Sequence, residues 1–129
     1  MAAKEPKELS QLFERAIRSG DAEAAVDLFE AEAALTTQQG EVCHGTEAIR
    51  KLLEAYAGMK PLLKIRNLKT LVAGDIALMY NAPTHEGLGV EGRAVEIARR
   101  QADGTWLYVM VFHPDGENDS PATDGPTTP

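Results

Sequence analysis

This chain of 129 residues has one cysteine, Cys43, so no internal disulfide can brace it, and that usage fits a reducing cytoplasm. Basic residues are few: 13 Lys and Arg face 20 Asp and Glu, for a net charge of -7. That balance withholds the basic surface a nucleic-acid binder needs. No apolar run approaches the ~20 residues of a membrane span, and MAAKEPKELS has no apolar signal core. The expectation is a soluble, cytoplasmic protein with no nucleic-acid or membrane partner. Catalytic signatures are absent as well. There is no Gly-x-Ser-x-Gly elbow, and the glycines after Thr84 lack the strand-to-helix setting of a phosphate cradle. His44, His85 and His113 lie far apart, and with one cysteine a structural zinc site is not expected. Neither a metal nor a cofactor is anticipated.

What is present is a polar-apolar pattern of one domain. From Pro6 to Ser19, Leu9, Leu12, Phe13, Ala16 and Ile17 recur at helical spacing, with Gly20 as the exit. Asp21 is a good N-cap for a second helix whose buried stripe is Ala25, Val26, Leu28 and Phe29. A short hairpin, Ala33 to Thr37 and Glu41 to His44, turns at Gln38-Gln39-Gly40. Thr46 can cap a third helix carrying Ile49, Leu52, Leu53 and Tyr56, ended by Gly58 and Pro61.

Strand signals follow. They cover Leu62 to Val72, Asp75 to Ala82, Val90 to Gln101 and Trp106 to His113, with a loop from Thr84 to Gly89 and a tight turn at Asp103-Gly104. In the first of these the apolar phase reverses near Asn67, as a bulge would cause. The last strand is apolar on both faces. Strict alternation puts Trp106, Tyr108, Met110 and Phe112 on one side and Leu107, Val109 and Val111 on the other. Such a strand needs cover on both sides, by helices and by more chain or a second subunit. Strands gathered after helices indicate an α+β layer fold. Residues 1–114 form the domain. Residues 115–129, DGENDSPATDGPTTP, lack large apolar side chains and hold four of the negative charges, so a disordered acidic tail is expected there.

Four pieces, SGDAEAAVDLF, GEVCHGTEAI, AGDIALMY and RRQADGTW, resemble in order and spacing the nuclear transport factor 2-like superfamily, in its SnoaL-like and ketosteroid-isomerase-like branch. The resemblance covers roughly residues 8 to 114. It implies a cone: three N-terminal helices and the short hairpin packed on a curved, four-stranded antiparallel sheet, with a pocket between sheet and helices. It also implies a homodimer through the outer sheet face. The superfamily hosts isomerases, polyketide cyclases, epoxide hydrolases, dehydratases and domains without known catalysis, so fold alone does not fix chemistry. Many relatives carry an acid or a histidine late in the final strand, where this chain reads Met110-Val111-Phe112.

Among residues that could carry chemistry, Glu96 shares a strand face with the small Ala94 and Ala98. If that face is concave, burial raises its proton affinity toward that of a general acid or base; otherwise it points to solvent or pairs with Arg93 or Arg99. Asn81 and Tyr80 sit near a strand end and cannot both point inward; Asn81 is favoured, to orient a carbonyl or hydroxyl. Tyr56, Met59, Met79 and Tyr108 are expected to line the pocket, with Trp106 an alternative to Tyr108. His85 in the mobile loop and His113 at the last strand's end could reach the mouth. His44 reads as a surface residue. Two functions follow: a binder of a hydrophobic, cyclic or polyketide-like molecule in a natural-product pathway, with or without acid/base catalysis by Glu96 and Asn81, or a non-catalytic association domain.

Overall fold

Three helices pack on one face of a single mixed sheet in the computed structural model, which describes residues 2–37, 39–88 and 90–114. The tail from 115 onward lies outside the described residues. The helices are α1 (Glu8–Ser19), α2 (Ala22–Val26) and α3 (Thr46–Gly58). The strands are β1 (Phe29–Thr36), β2 (Val42–His44), β3 (Leu63–Ala73), β4 (Ile76–His85), β5 (Val90–Glu91), β6 (Ala94–Arg100) and β7 (Trp106–Phe112). Their order in the sheet is β2-β1-β7-β6-β4-β3, with β5 paired only to β4.

The sheet therefore has seven strands and not four. The expected hairpin does not pack on the sheet but belongs to it, since β1 runs parallel to β7, with Leu35 opposite Val111. This pairing also shortens α2. Asp21 caps it as expected, its side chain accepting from the Ala24 amide at 3.1 Å, but the helix stops at Val26. Phe29, read as helical from its spacing, instead opens β1 opposite Tyr108. Tertiary pairing outweighs the weak local helix preference here. Gly45, at φ 87°, occupies the start position of α3 that Thr46 was expected to take.

Gly20 ends α1 in the left-handed conformation, φ 80°. Its amide donates to the Ile17 carbonyl at 3.1 Å and the Asp21 amide to the Ala16 carbonyl at 2.9 Å, which satisfies the last carbonyls of the helix. α1 then lies over β3 and β7, and α3 over β1 and β2. One core cluster joins Ile17, Val26, Leu35, Ile49 and Leu53. A second joins Leu9, Leu28, Met79, Trp106 and Tyr108 with Ala3, whose carbonyl accepts from the Trp106 amide.

Three slips in register bend the sheet: one each in the pairings β1–β7, β3–β4 and β6–β7. The slip in β3 falls between Asn67 and Lys69, where the sequence reverses phase. The slip in β7 corrects strict alternation. Ala98 faces Tyr108 but its neighbour Ile97 faces Met110, so Val109 is an extra residue. Trp106 and Tyr108 point to the helices, whereas Met110 and Phe112 point away and are about half exposed. After the bulge it is Val111 that faces inward, opposite Glu96. The sequence's single strand Val90 to Gln101 is divided at Gly92-Arg93 into β5 and β6.

Candidate functional site

Between helices and sheet lies a cavity of ≈ 450 Å³, walled mostly by apolar side chains that include Phe13, Phe29, Leu53 and Val111. Phe13, Phe29 and Tyr108 form an aromatic cluster on its inner wall, with ring centroids 5.0 to 6.4 Å apart. Among the described residues no Lys or Arg lines it, and the ionisable lining groups are Glu96, His85, His113, Tyr56 and Tyr108.

Glu96 meets the concave alternative. On β6 the buried residues are Ala94, Glu96 and Ala98, and Glu96 is only 6% exposed. Removal from water disfavours the charged form and lifts its pKa from 4.5 to about 7. The nearby polar side chains of Asn81 and Tyr108 act against that rise. Burial wins. The Tyr108 phenol is itself held well above its ordinary range by burial and by the adjacent carboxyl. Across from Glu96 on the final strand stands Val111.

Asn81 is fully buried on β4, on the inward parity that Tyr80, 37% exposed on the opposite face, does not share. Its Oδ1 accepts from Asn67 Nδ2 at 2.8 Å. Its Nδ2 faces the Glu96 carboxyl without closing a hydrogen bond, and Glu96 Oε1 is likewise unsatisfied. Asn81 does not line the cavity. It sits behind the acid and cannot itself hold a ligand oxygen, as the sequence suggested. Met79 is also displaced from its expected role: it packs in the core against β6 and β7 rather than on the cavity wall.

Four further residues do line the cavity. Tyr56 from α3 and His85 from the end of β4 meet there, Oη to Nε2 at 2.6 Å with their rings edge to face. Burial pushes the Tyr56 phenol up to about 12, so it keeps its proton at neutral pH. His85 was expected in a loop, but β4 continues through Pro83 and pairs His85 with both Leu63 and Val90. Met59, 71% exposed, marks the rim. His113 stands at another part of the rim beside Thr36, whose carbonyl lies 2.7 Å from Nδ1. A carbonyl can only accept, so Nδ1 carries the proton.

Residues off the site have local roles. His44 on β2 pairs with Glu32 on β1 at 3.6 Å, and Glu86 pairs with Arg18 at 3.6 Å. Among the described residues no group of three or more His, Cys, Asp or Glu is placed to hold a metal ion, and no helix is long and apolar enough to cross a membrane. Sequence reasoning missed Asn67, although the phase reversal pointed at it. It also took Phe13 and Phe29 for plain core.

A family model described as a SnoaL-like domain matches residues 9–109. No curated protein matches the sequence. Solved structures share the fold. A candidate calcium/calmodulin-dependent protein kinase type II association domain from Thiobacillus denitrificans superposes with TM-score 0.76 at 15% identity, covering 88% of this chain and 96% of that one. An NTF2-like protein of unknown function from Pseudomonas putida gives 0.63 at 20% identity, over 83% and 81%. An NTF2-like protein with a cystatin-like fold from Novosphingobium aromaticivorans gives 0.62 at 19%, over 82% and 76%.

Proposed function

This chain belongs to the SnoaL-like domain family, and on that footing we propose that it binds a neutral, hydrophobic, cyclic or polyketide-like molecule in the cavity and moves a proton on it through Glu96. One observation carries the proposal: a carboxyl group whose pKa lies near 7 on the wall of an apolar cavity. An acid or base works best when its proton affinity matches the operating pH. The absence of Lys and Arg from the lining disfavours an anionic ligand, and the volume suits a molecule of a few fused rings.

In the reaction type that fits, the Glu96 carboxylate takes a proton from a carbon beside a carbonyl. The C–H electron pair becomes the enolate, whose oxygen accepts from the Tyr56 phenol, braced by His85. Glu96, after exchanging its proton with solvent, returns one to a different carbon, so the sum is an isomerisation without redox change. The test uses a panel of polycyclic ketones. Ligands that raise the melting temperature are incubated in deuterated water, and deuterium uptake next to the carbonyl is read by NMR. Wild type is expected to catalyse uptake and Glu96→Gln to bind without catalysing it. Equal uptake in both, or no stabilising ketone, counts against the proposal. The natural-product setting follows from ligand class alone.

A second reading concerns the outer sheet face, and here too a specific observation speaks. Leu71, Leu78, Ile97 and Met110 form one cross-strand apolar row, and Tyr80, Val95 and Phe112 a second. Leu71, Met110 and Phe112 are each at least half exposed. We propose that a second copy of the chain covers this face. The β3 edge presents Lys64, Arg66 and Lys69, whereas β1 carries Glu30 and Glu32. A twofold axis along the strands lays one edge over the other. Sedimentation velocity is expected to show a dimer, with Phe112→Lys a monomer; a monomeric wild type rejects the idea. Association, the role named in the description of the Thiobacillus neighbour, then becomes the simpler function if no ketone binds.

A further inference from the structure

The two asparagines behind Glu96 have a fixed polarity. Asn67 lies where β3 slips against β4, and it faces Asn81 directly. Its Nδ2 is 3.2 Å from the Lys69 carbonyl oxygen and 2.8 Å from Asn81 Oδ1, while Thr70 Oγ1 donates to its Oδ1 at 3.2 Å. A backbone carbonyl only accepts, so the Asn67 atom that faces it must be the amide nitrogen. That same nitrogen faces Asn81, which must answer with its oxygen. The Asn81 NH2 is then left on the Glu96 side, fully buried and without a hydrogen-bond partner, as is Glu96 Oε1. Side-chain amide orientation is usually an assignment. Here a main-chain atom dictates it across two residues.

We infer that Asn67 is a positioning residue for the buried acid: through Asn81 it keeps an N–H donor turned toward the Glu96 carboxyl, so that the carboxyl's exchangeable proton is directed into the cavity. The Tyr108 phenol adjoins the same carboxyl. The Asn81 NH2 can only donate, so it cannot accept the acid's proton, which is left to the cavity side of the carboxyl. Without Asn67 the Asn81 amide is free to reverse. Its oxygen would then accept the Glu96 proton, hold the acid protonated and turn that proton away from the cavity. The bulge in β3 thus has a purpose beyond bending the sheet, since an unbroken register would not bring Asn67, Lys69 and Asn81 together in this way. The inference rests on the proton-transfer reading of Glu96.

The test follows the Glu96 carboxyl carbon and the Asn81 side-chain NH2 by NMR through a pH titration of the labelled, ligand-free protein. In wild type the Asn81 NH2 resonances are expected to move with the same midpoint as the Glu96 carboxyl. Asn67→Ala is expected to raise that midpoint by about one pH unit, the size of a lost donor to a buried carboxylate. Asn81→Leu is expected to raise it similarly and to abolish any further effect of Asn67→Ala, because one acts through the other. The inference is overturned by Asn81 resonances that ignore the Glu96 titration, by an unchanged midpoint in Asn67→Ala, or by an equal Asn67→Ala shift in the Asn81→Leu background. If Asn67→Ala does not fold, the wild-type titration decides alone. As no ligand is present, failure here is separate from failure of the deuterium-uptake test.

Discussion

Replacing Glu96 with glutamine removes the charge of the buried carboxyl at nearly constant volume, and the stability of the two proteins should part as pH rises. Burial lifts the folded-state pKa from 4.5 to about 7. Between those values the folded chain holds a proton that the unfolded chain has released. Folding is therefore favoured at the acid end, and this contribution is lost as pH climbs toward and through 7. At about 1.36 kcal/mol per pH unit, the full loss is about 3 kcal/mol. For a domain of this size that corresponds to roughly 10 °C in melting temperature. Glu96→Gln has nothing to ionise and should not show the loss. Every other ionisable group is common to the two proteins, so the difference between the two curves isolates Glu96. Urea unfolding at pH 5 and pH 8 measures it. Wild type should approach or match the variant at pH 5 more closely than at pH 8, with the gap widening by about 2.5 kcal/mol between them. Parallel curves would show that the carboxyl stays hydrated, and the argument for a raised proton affinity would fail.

Two other substitutions test neighbouring parts of the argument. Tyr56→Phe keeps the ring packed under α3 but removes the hydroxyl bonded to His85. It is expected to change stability by about 1 kcal/mol at most while slowing deuterium uptake into any bound ketone at least tenfold; unchanged uptake would remove Tyr56 from the proposed chemistry. Gly20→Ala forces a side chain into φ 80°, where a Cβ would also meet the Lys60 side chain at 2.8 Å. A loss of about 1 kcal/mol or slightly more is expected in chemical denaturation, most of it backbone strain because the lysine tip can move; a neutral outcome would mean that the α1 exit relaxes.

Much of this was legible in the chain because it depends on local pattern. The amphipathic spacing from Leu9 to Ile17 placed α1, and small neighbours on both sides of Glu96 marked a face with room for a carboxyl. The reversal of phase near Asn67 announced a bulge that the register confirms. Non-local pairings were hidden. Nothing around Phe29 says that it will lie beside Tyr108, so the end of α2 and the membership of β1 in the sheet could not be read. The extra residue at Val109 leaves no mark in a segment that is apolar on both faces, which is why strict alternation misplaced Met110 and Phe112. Tyr56 and His85 meet only because β4 runs on past Pro83, a residue that read as a stop. Asn81 was rightly turned inward, but how deep it would sit behind Glu96 depended on the neighbouring strand.

The parallel union of β1 with β7 makes the two ends of the domain depend on each other. Phe29 finds its partner at Tyr108, and Ala3 finds its own at Trp106. Nascent α1, α2 and β1 leave the ribosome with no platform to settle on until the final strand has emerged. Such widely separated pairings slow folding and leave greasy helix faces uncovered in the meantime. A chain cut short before Trp106 would lose the hollow and the acid's neighbour Tyr108 together, and would behave as a sticky fragment rather than as a smaller domain.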